Sequence, residues 1–462
     1  MSRDPICRQK ATLYAAGAVL CFHAAYLTPL GFLICGYVAC LVQLARLQSG
    51  RLAFYGGLFT GLLCYAPQLT FFYGLFGAAA FVLWAILAFW TGLFVALAHG
   101  IFRRVQGWKA ATLTAAVWMG LEYFRGELYF LRFTWLNVGY ALAGSWTVPI
   151  LRTLGMYGTG FLVAWLAAHW LTGARKVPLL IGSLALLFCF ASAPFFQTSA
   201  NRPLRIAGIQ MEFPSTPRLL AGLDRLAGAH PDAEVLMTSE YTCDGEVPGA
   251  VKNWCQGHAR YLVIGGKAAA PGGKYYDTAF VIGPTGEIVF QQGKCVPIQF
   301  FDDGLPATEQ RVWDSPWGKL GLCICYDLSY RRVTDRLVRL GAQALIVPTM
   351  DVESWGRHEH ELHRRVARVR AEEYGVPVFR VASSGISQAV DAEGREVASA
   401  PFPGENAMLS ATLLLGPAGR HPLDYWLAPL AVAITAGNAM WLLVAAIRRK
   451  SLRSPAESDP AR

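Results

Sequence analysis

The chain has 462 residues, of which 54% are hydrophobic and only 16% charged, with a formal net charge of +10. Soluble globular chains carry roughly a quarter charged residues, so disordered, collagen-like and coiled-coil proteins are excluded and a purely soluble enzyme is disfavoured. Residues 203–420 hold 22 basic and 25 acidic side chains. The positive excess therefore lies in the apolar remainder, where it reads as membrane-flanking charge rather than a nucleic-acid footprint. No nucleic-acid partner is expected.

A spanning helix needs about 20 apolar residues. Residues 11–46 predict two short spans broken at Thr28-Pro29-Leu30-Gly31, and 52–74 and 79–102 predict two more. A fifth, near 110–130, contains Glu122 and Arg125; a sixth and seventh follow at 154–173 and 178–196, and an eighth at 426–447. Basic clusters at Arg3/Arg8/Lys10, Arg46/Arg51, Arg103/Arg104/Lys109, Arg175/Lys176 and Arg448/Arg449/Lys450 all fall on one side of these spans. By the positive-inside bias that side is cytoplasmic, which puts residues 203–420 on the opposite face. The expected organisation is an N-terminal membrane domain of about seven spans (1–200), an extracytoplasmic domain (203–420), a C-terminal transmembrane helix (424–450) and a cytoplasmic tail (451–462). The eleven cysteines show no disulfide framework and no zinc-like C-x-x-C spacing.

Within the polar region, short apolar or β-branched runs at 204–210, 234–239, 261–265, 278–282, 287–290, 320–326, 344–348 and 376–382 predict strands. Helical patterns at 216–229, 248–259, 329–341 and 358–374 alternate with them, and Gly283-Pro284-Thr285-Gly286 predicts a hairpin turn. The alternation argues for a layered α/β domain around a buried sheet.

Three reactive side chains fall at or beside strand ends: Glu240, Lys294 and Cys325. A thiol attacks a carbonyl as thiolate, a carboxylate can take its proton, and an ammonium can stabilise the resulting oxyanion. Taken singly, each residue has an ordinary structural reading. His358-Glu359-His360-Glu361-Leu362-His363 lacks the i,i+4 histidine pair of zinc proteases and reads as a solvated helix start. Cys323, two residues before Cys325 on one strand face, reads as a core thiol. Glu122 and Arg125, three apart on a helix, either pair with each other or position a lipid headgroup. Phe71, Phe72, Tyr73 and Trp135 read first as interfacial aromatics and second as a lining for an acyl chain.

The order Glu240, Lys294, Cys325, with the nucleophile segment Ile324-Cys-Tyr-Asp-Leu-Ser-Tyr-Arg-Arg332, resembles the Glu-Lys-Cys triad of the nitrilase (carbon–nitrogen hydrolase) superfamily. Glu122-Tyr-Phe-Arg125-Gly126 with Trp135-Leu136-Asn137-Val138-Gly139-Tyr140, and the stretch from His363 to Gly394, are similar to the apolipoprotein N-acyltransferase family, which includes conjugal-transfer paralogues. The resemblance implies a multi-span α-helical membrane domain plus an α-β-β-α sandwich. It implies Glu240 as base, Lys294 as oxyanion stabiliser and Cys325 as nucleophile, with Tyr326 and Asp327 positioning the oxyanion or substrate. Glu122, Arg125 and Trp135 would form a membrane arm at the lipid access. It further implies no cofactor or metal, a phospholipid acyl donor, a lipoprotein amine acceptor, and a bacterial inner-membrane location with the catalytic domain in the periplasm. A membrane-anchored amidohydrolase and a noncatalytic scaffold are the alternatives. This chain has Thr238-Ser239 before Glu240 where the family has Trp-Pro, and Asp302 or Asp303 in place of a second glutamate.

Overall fold

A computed structural model describes residues 5–144, 147–171 and 202–451. The expected span at 178–196, the Arg175/Lys176 cluster and the tail beyond 451 lie outside these. The helical unit runs α1 Pro5–Leu27, α2 Ile34–Ala45, α3 Gly50–Gln68, α4 Phe71–Phe76, α5 Ala79–Phe102, α6 Gly107–Tyr123, α7 Val138–Leu142 and α8 Val148–Leu171. Among the described residues, three helices are long and apolar enough to cross a membrane: Ala79–Phe102, Val148–Leu171 and Asp424–Arg448. Seven spans were expected outside 178–196, and the remaining helices differ from these three in length or apolarity. Helix α2 has only 12 residues, a rise of about 18 Å, while α1 carries Arg8 and Lys10 in its first turns. Helix α6 ends in a π-turn, Phe124–Leu128.

The α/β unit contains β1 Arg202–Ile209, α9 Thr216–Ala229, β2 Val235–Met237, α10 Gly249–His258, β3 Tyr261–Ala269, β4 Tyr275–Ile282 and β5 Ile288–Gly293. It continues with β6 Val312–Ser315, β7 Gly318–Leu322, α11 Arg331–Arg339, β8 Ala344–Thr349, α12 Arg357–Tyr374, β9 Val378–Ala382, β10 Ser387–Val390, β11 Glu396–Ala400 and β12 Met408–Leu415. Two six-stranded sheets form, ordered β12-β1-β2-β3-β4-β5 and β11-β10-β9-β8-β7-β6. Central strands pair parallel and outer ones antiparallel. Alternation along β1 explains the layering: Leu204 and Ile206 meet Leu322, Ile346 and Val381 between the sheets, whereas Ala207 and Ile209 face Leu223 and Val251 of the outer helices. Helices α11 and α12 cover the other sheet and share one apolar cluster with the helical unit. The result is an α-β-β-α sandwich seated on helices.

Four strands, β6, β10, β11 and β12, were not expected from the sequence. β12 is a half-exposed edge strand and β11 is mostly exposed, so neither has the uniform apolar run of a central strand. The turn at 283–286 does close the β4–β5 hairpin, with Gly286 at φ +83.

Helix α13, Asp424–Ser451, returns to the helical unit. Its first carboxylate is the joint of the molecule. Asp424 accepts from the Tyr157 and Gly158 backbone N–H groups at 2.9 and 3.2 Å and from Arg331 at 2.6 Å. This approach requires Gly155, at φ +78, because a Cβ there would lie 2.1 Å from Asp424 Oδ1. The kink of α8, the start of α11 and the C-terminal helix are thereby tied at one buried point.

Candidate active site

Glu240, Lys294 and Cys325 arrive from three different connections and are all buried. Glu240 follows β2 in a turn whose next residue, Tyr241, has φ +51. That turn lies so close to β3 that a Cβ on Gly265 would sit 2.5 Å from Glu240 Cα. Lys294 leaves the end of β5. Strand β7 stops at Leu322 instead of running to 326, and Cys325 opens a 3-10 turn, Cys325–Ser329, at φ +50. A left-handed backbone at a non-glycine costs about 1–2 kcal/mol and persists where the surroundings impose it. This break also corrects the expectation that Cys323 and Cys325 share a strand face.

Lys294 Nζ is 2.7 Å from Glu240 Oε1, 2.7 Å from Asp303 Oδ2 and 3.4 Å from Asp277 Oδ2. Three carboxylates at this spacing would suit a cation, and the lysine ammonium fills that place. The Glu240 Oε2 atom accepts from the Met350 backbone N–H at 2.6 Å. Burial alone would raise the Glu240 carboxyl, yet Lys294 holds it below the ordinary range. Burial and the Glu240 charge push the Asp277 carboxyl well above the ordinary carboxylate range, with Lys294 opposing. Cys325 is raised well above the usual thiol range by burial and then by Glu240, with Lys294 opposing. The resting sulfur is a thiol with an ionised carboxylate beside it, as base-assisted attack requires.

Tyr326 lines an aromatic cleft next to Cys325 and donates to the Arg132 carbonyl at 3.3 Å. Asp327 points elsewhere. Its oxygens accept from the N–H groups of Cys295, Val296 and Ile324 at 3.0, 2.7 and 3.2 Å, which fastens the Lys294 segment to the Cys325 turn. Asp327 thus positions backbone, not substrate.

The expected membrane arm divides. Trp135 comes to the site: its indole N–H donates to Ser329 Oγ at 2.9 Å, and its ring stacks on His363 with centroids 4.7 Å apart. Glu122 and Arg125 stay inside the helical unit beside a separate small cavity. They do not bond to each other: Arg125 donates to Tyr65 Oη and Asn137 Oδ1, and Glu122 accepts from the Val138 N–H. Phe71, Phe72, Leu75, Phe76, Phe133 and Trp135 line an apolar cleft that reaches Cys325. Tyr73 is exposed and outside it.

Sequence reasoning missed a second buried network. Asp351 accepts from His363 Nδ1 at 2.8 Å and from Arg380, and a nitrogen of His363, an oxygen of Asp351 and Cys325 Sγ lie within 4.8 Å of one another. Glu359, His360 and His363 are buried, which corrects the solvated helix start: Arg357 is exposed, but the face carrying Glu359 and His363 lines the cleft that reaches Cys325. A lone charge inside an apolar strand was the available signal, for Arg380 in β9 and for Asp277 in β4. His360 Nδ1 sits 2.8 Å from Glu359 Oε2 and 3.7 Å from Asp351 Oδ2; against burial, these two partners raise it to about 9. The folded value exceeds the unfolded one of about 6.5, so this contribution is full below pH ~6.5 and is lost as pH rises through about 9. Its size is about 3 kcal/mol. Denaturation midpoints measured from pH 6 to 10 should fall for the wild type and stay flatter for His360→Gln.

Residues 221–418 match the carbon-nitrogen hydrolase family, and residues 15–169 match the apolipoprotein N-acyltransferase N-terminal domain. The sandwich and that match make the α/β unit a nitrilase-superfamily domain. The chain carrying it, with the second match in front, belongs to the apolipoprotein N-acyltransferase family. It is 23% identical to the apolipoprotein N-acyltransferase of Geobacter metallireducens over 96% of this chain and 95% of that protein. For the enzyme of that name from Shewanella oneidensis the figures are 24%, 88% and 92%. The crystal structure of a Helicobacter pylori carbon-nitrogen hydrolase is similar over 47% of this chain and 91% of its own, at 19% identity and a TM-score of 0.41.

Proposed function

We propose that the protein is a membrane acyltransferase that moves an acyl chain from a phospholipid, through a thioester on Cys325, to the N-terminal amine of a diacylglyceryl-cysteine lipoprotein. The observation that carries this reading is the aromatic cleft ending on Cys325; a small polar amide has no use for such a wall, and a fatty acyl chain does. Glu240 takes the thiol proton as sulfur attacks the ester carbon, and Lys294 stabilises the oxyanion. The ester C–O bond breaks, and the departing alkoxide recovers the proton from Glu240. In the second half the amine attacks the thioester, gives a proton to Glu240, and the leaving thiolate takes it back. Cys325 ends as it began.

The same proposal places residues 203–420 on the periplasmic face of a bacterial inner membrane, on the strength of the basic clusters. A reporter fused at Gly272 should be active only outside the cytoplasm. The enzymatic test is mass spectrometry of the full chain in phospholipid bilayers, before and after adding a diacylglyceryl-cysteine peptide. An acyl adduct on Cys325 that the peptide discharges as amide is expected. An adduct discharged equally fast by water would favour the amidohydrolase, and no adduct would favour a scaffold.

A further inference from the structure

Beside the aromatic cleft lies a second, larger cavity, and the two share Arg132, Ile298, Phe300, Phe301 and Tyr326 in their walls. Its chemistry is opposite. Arg132, Arg311, Arg332, Arg336 and Arg339 line it, against the single carboxylate Glu309. Arg332, Arg336 and Arg339 are spaced i, i+4, i+7 on α11 and so form one row. Among the described residues none of the five makes a contact ion pair, whereas their neighbour Arg331 has partners in Asp335 and Asp424. Arg132 and Arg332 flank the same Tyr330 ring at 5.9 and 6.0 Å, and Arg132 Nη1 is buried with no hydrogen-bond partner.

Like charges at i,i+4 repel, and burial together with Arg132 disfavours the Arg332 charge. The helix C-terminal dipole favours basic residues in the last turn and accounts for Arg336 and Arg339. It does not account for Arg132 or Arg311, which come from other elements. The cluster is therefore short of an anion. Phe300, in the wall shared by the two cavities, is 70% exposed. An exposed aromatic beside a row of arginines is the pattern of a surface at headgroup depth in a bilayer.

We infer that this arginine cavity binds the phosphate of an anionic membrane lipid whose acyl chain lies in the adjoining aromatic cleft. The inference rests on the acyl-transfer reading and adds the class of donor: a phosphodiester lipid with net negative charge. Arginine suits it because the planar guanidinium bonds two phosphate oxygens at once.

The test uses the full chain in vesicles of phosphatidylglycerol or of phosphatidylcholine with identical chains, and reads the rate of Cys325 acylation. The anionic lipid should react faster by at least about fivefold, since even one basic residue near an anionic surface contributes a preference on that order. Arg332→Gln/Arg336→Gln should lose that preference and Arg332→Lys/Arg336→Lys should keep most of it, while Arg218→Gln, on α9, should match the wild type. Equal rates from the two lipids in the wild-type protein would overturn the inference while leaving the acyltransferase reading intact. Failure to acylate from either lipid would instead sink the reading on which it rests. Full protection by millimolar free glycerol phosphate would reassign the cavity to a soluble anion.

Discussion

Glu240→Gln should slow acylation of Cys325 from phospholipid by about 10²–10⁴-fold, the range for losing a general base, and Lys294→Met by about 10²–10³-fold, the range for losing an oxyanion stabiliser. The double variant should be hardly slower than the worse single one, because groups acting on one transition state are strongly non-additive. Both side chains are buried 2.7 Å apart, so folded yield must be measured in parallel. Glu240→Gln keeps the size and can still accept from the Met350 N–H, while Lys294→Met leaves Asp303 and Glu240 facing each other across an apolar stem. The second variant should therefore also be the less stable. Cys323→Ala should retain acylation and Cys325→Ala should lose it entirely. Near-wild-type rates in either triad variant, or full additivity in the double, would remove the catalytic assignment.

Arg331→Met should cost about 3–5 kcal/mol of stability, the usual loss when one partner of a buried ion pair is removed. Arg331 bonds Asp424 at 2.6 Å and lies 3.9 Å from Glu373; without it those carboxylates stay buried beside the α8 kink. Adding Asp424→Asn to Arg331→Met should recover part of the loss, because the uncompensated charge is then gone. Denaturation midpoints of the two single variants and the double, in one detergent, form the cycle that checks this. A loss below about 1 kcal/mol in Arg331→Met would mean the joint contributes no more than an exposed pair.

Much of the local architecture follows from local pattern. The period-3.6 stretch at 216–229 coincides with α9, and 358–374 is α12 within one residue, because an apolar face repeating at helical spacing constrains one conformation. Central strands such as 344–348 were legible because burial on both faces demands an uninterrupted apolar run. Residue type and position near strand ends drew attention to Glu240, Lys294 and Cys325, and the resemblance to the nitrilase superfamily grouped them.

What the sequence alone determined, then, was the apolar character of both flanks and the α/β alternation between them; it singled out Glu240, Lys294 and Cys325 as reactive types near strand ends, and the family resemblance joined them. These depend on short-range periodicity and on chemistry intrinsic to a side chain. Only the tertiary structure decided that Cys325 leaves the strand in a left-handed turn, that Asp327 holds backbone, and that Trp135 reaches the site while Glu122 and Arg125 do not. It also decided that Asp277 and Asp303 flank Lys294, and that Asp351, His363 and Arg380 form a buried network beside Cys325. The reason is distance along the chain: Lys294 meets Glu240 across 54 residues and Asp424 meets Arg331 across 93. No local pattern encodes which buried charge will find which, because that pairing is fixed by the register of two sheets and by the helices packed beneath them.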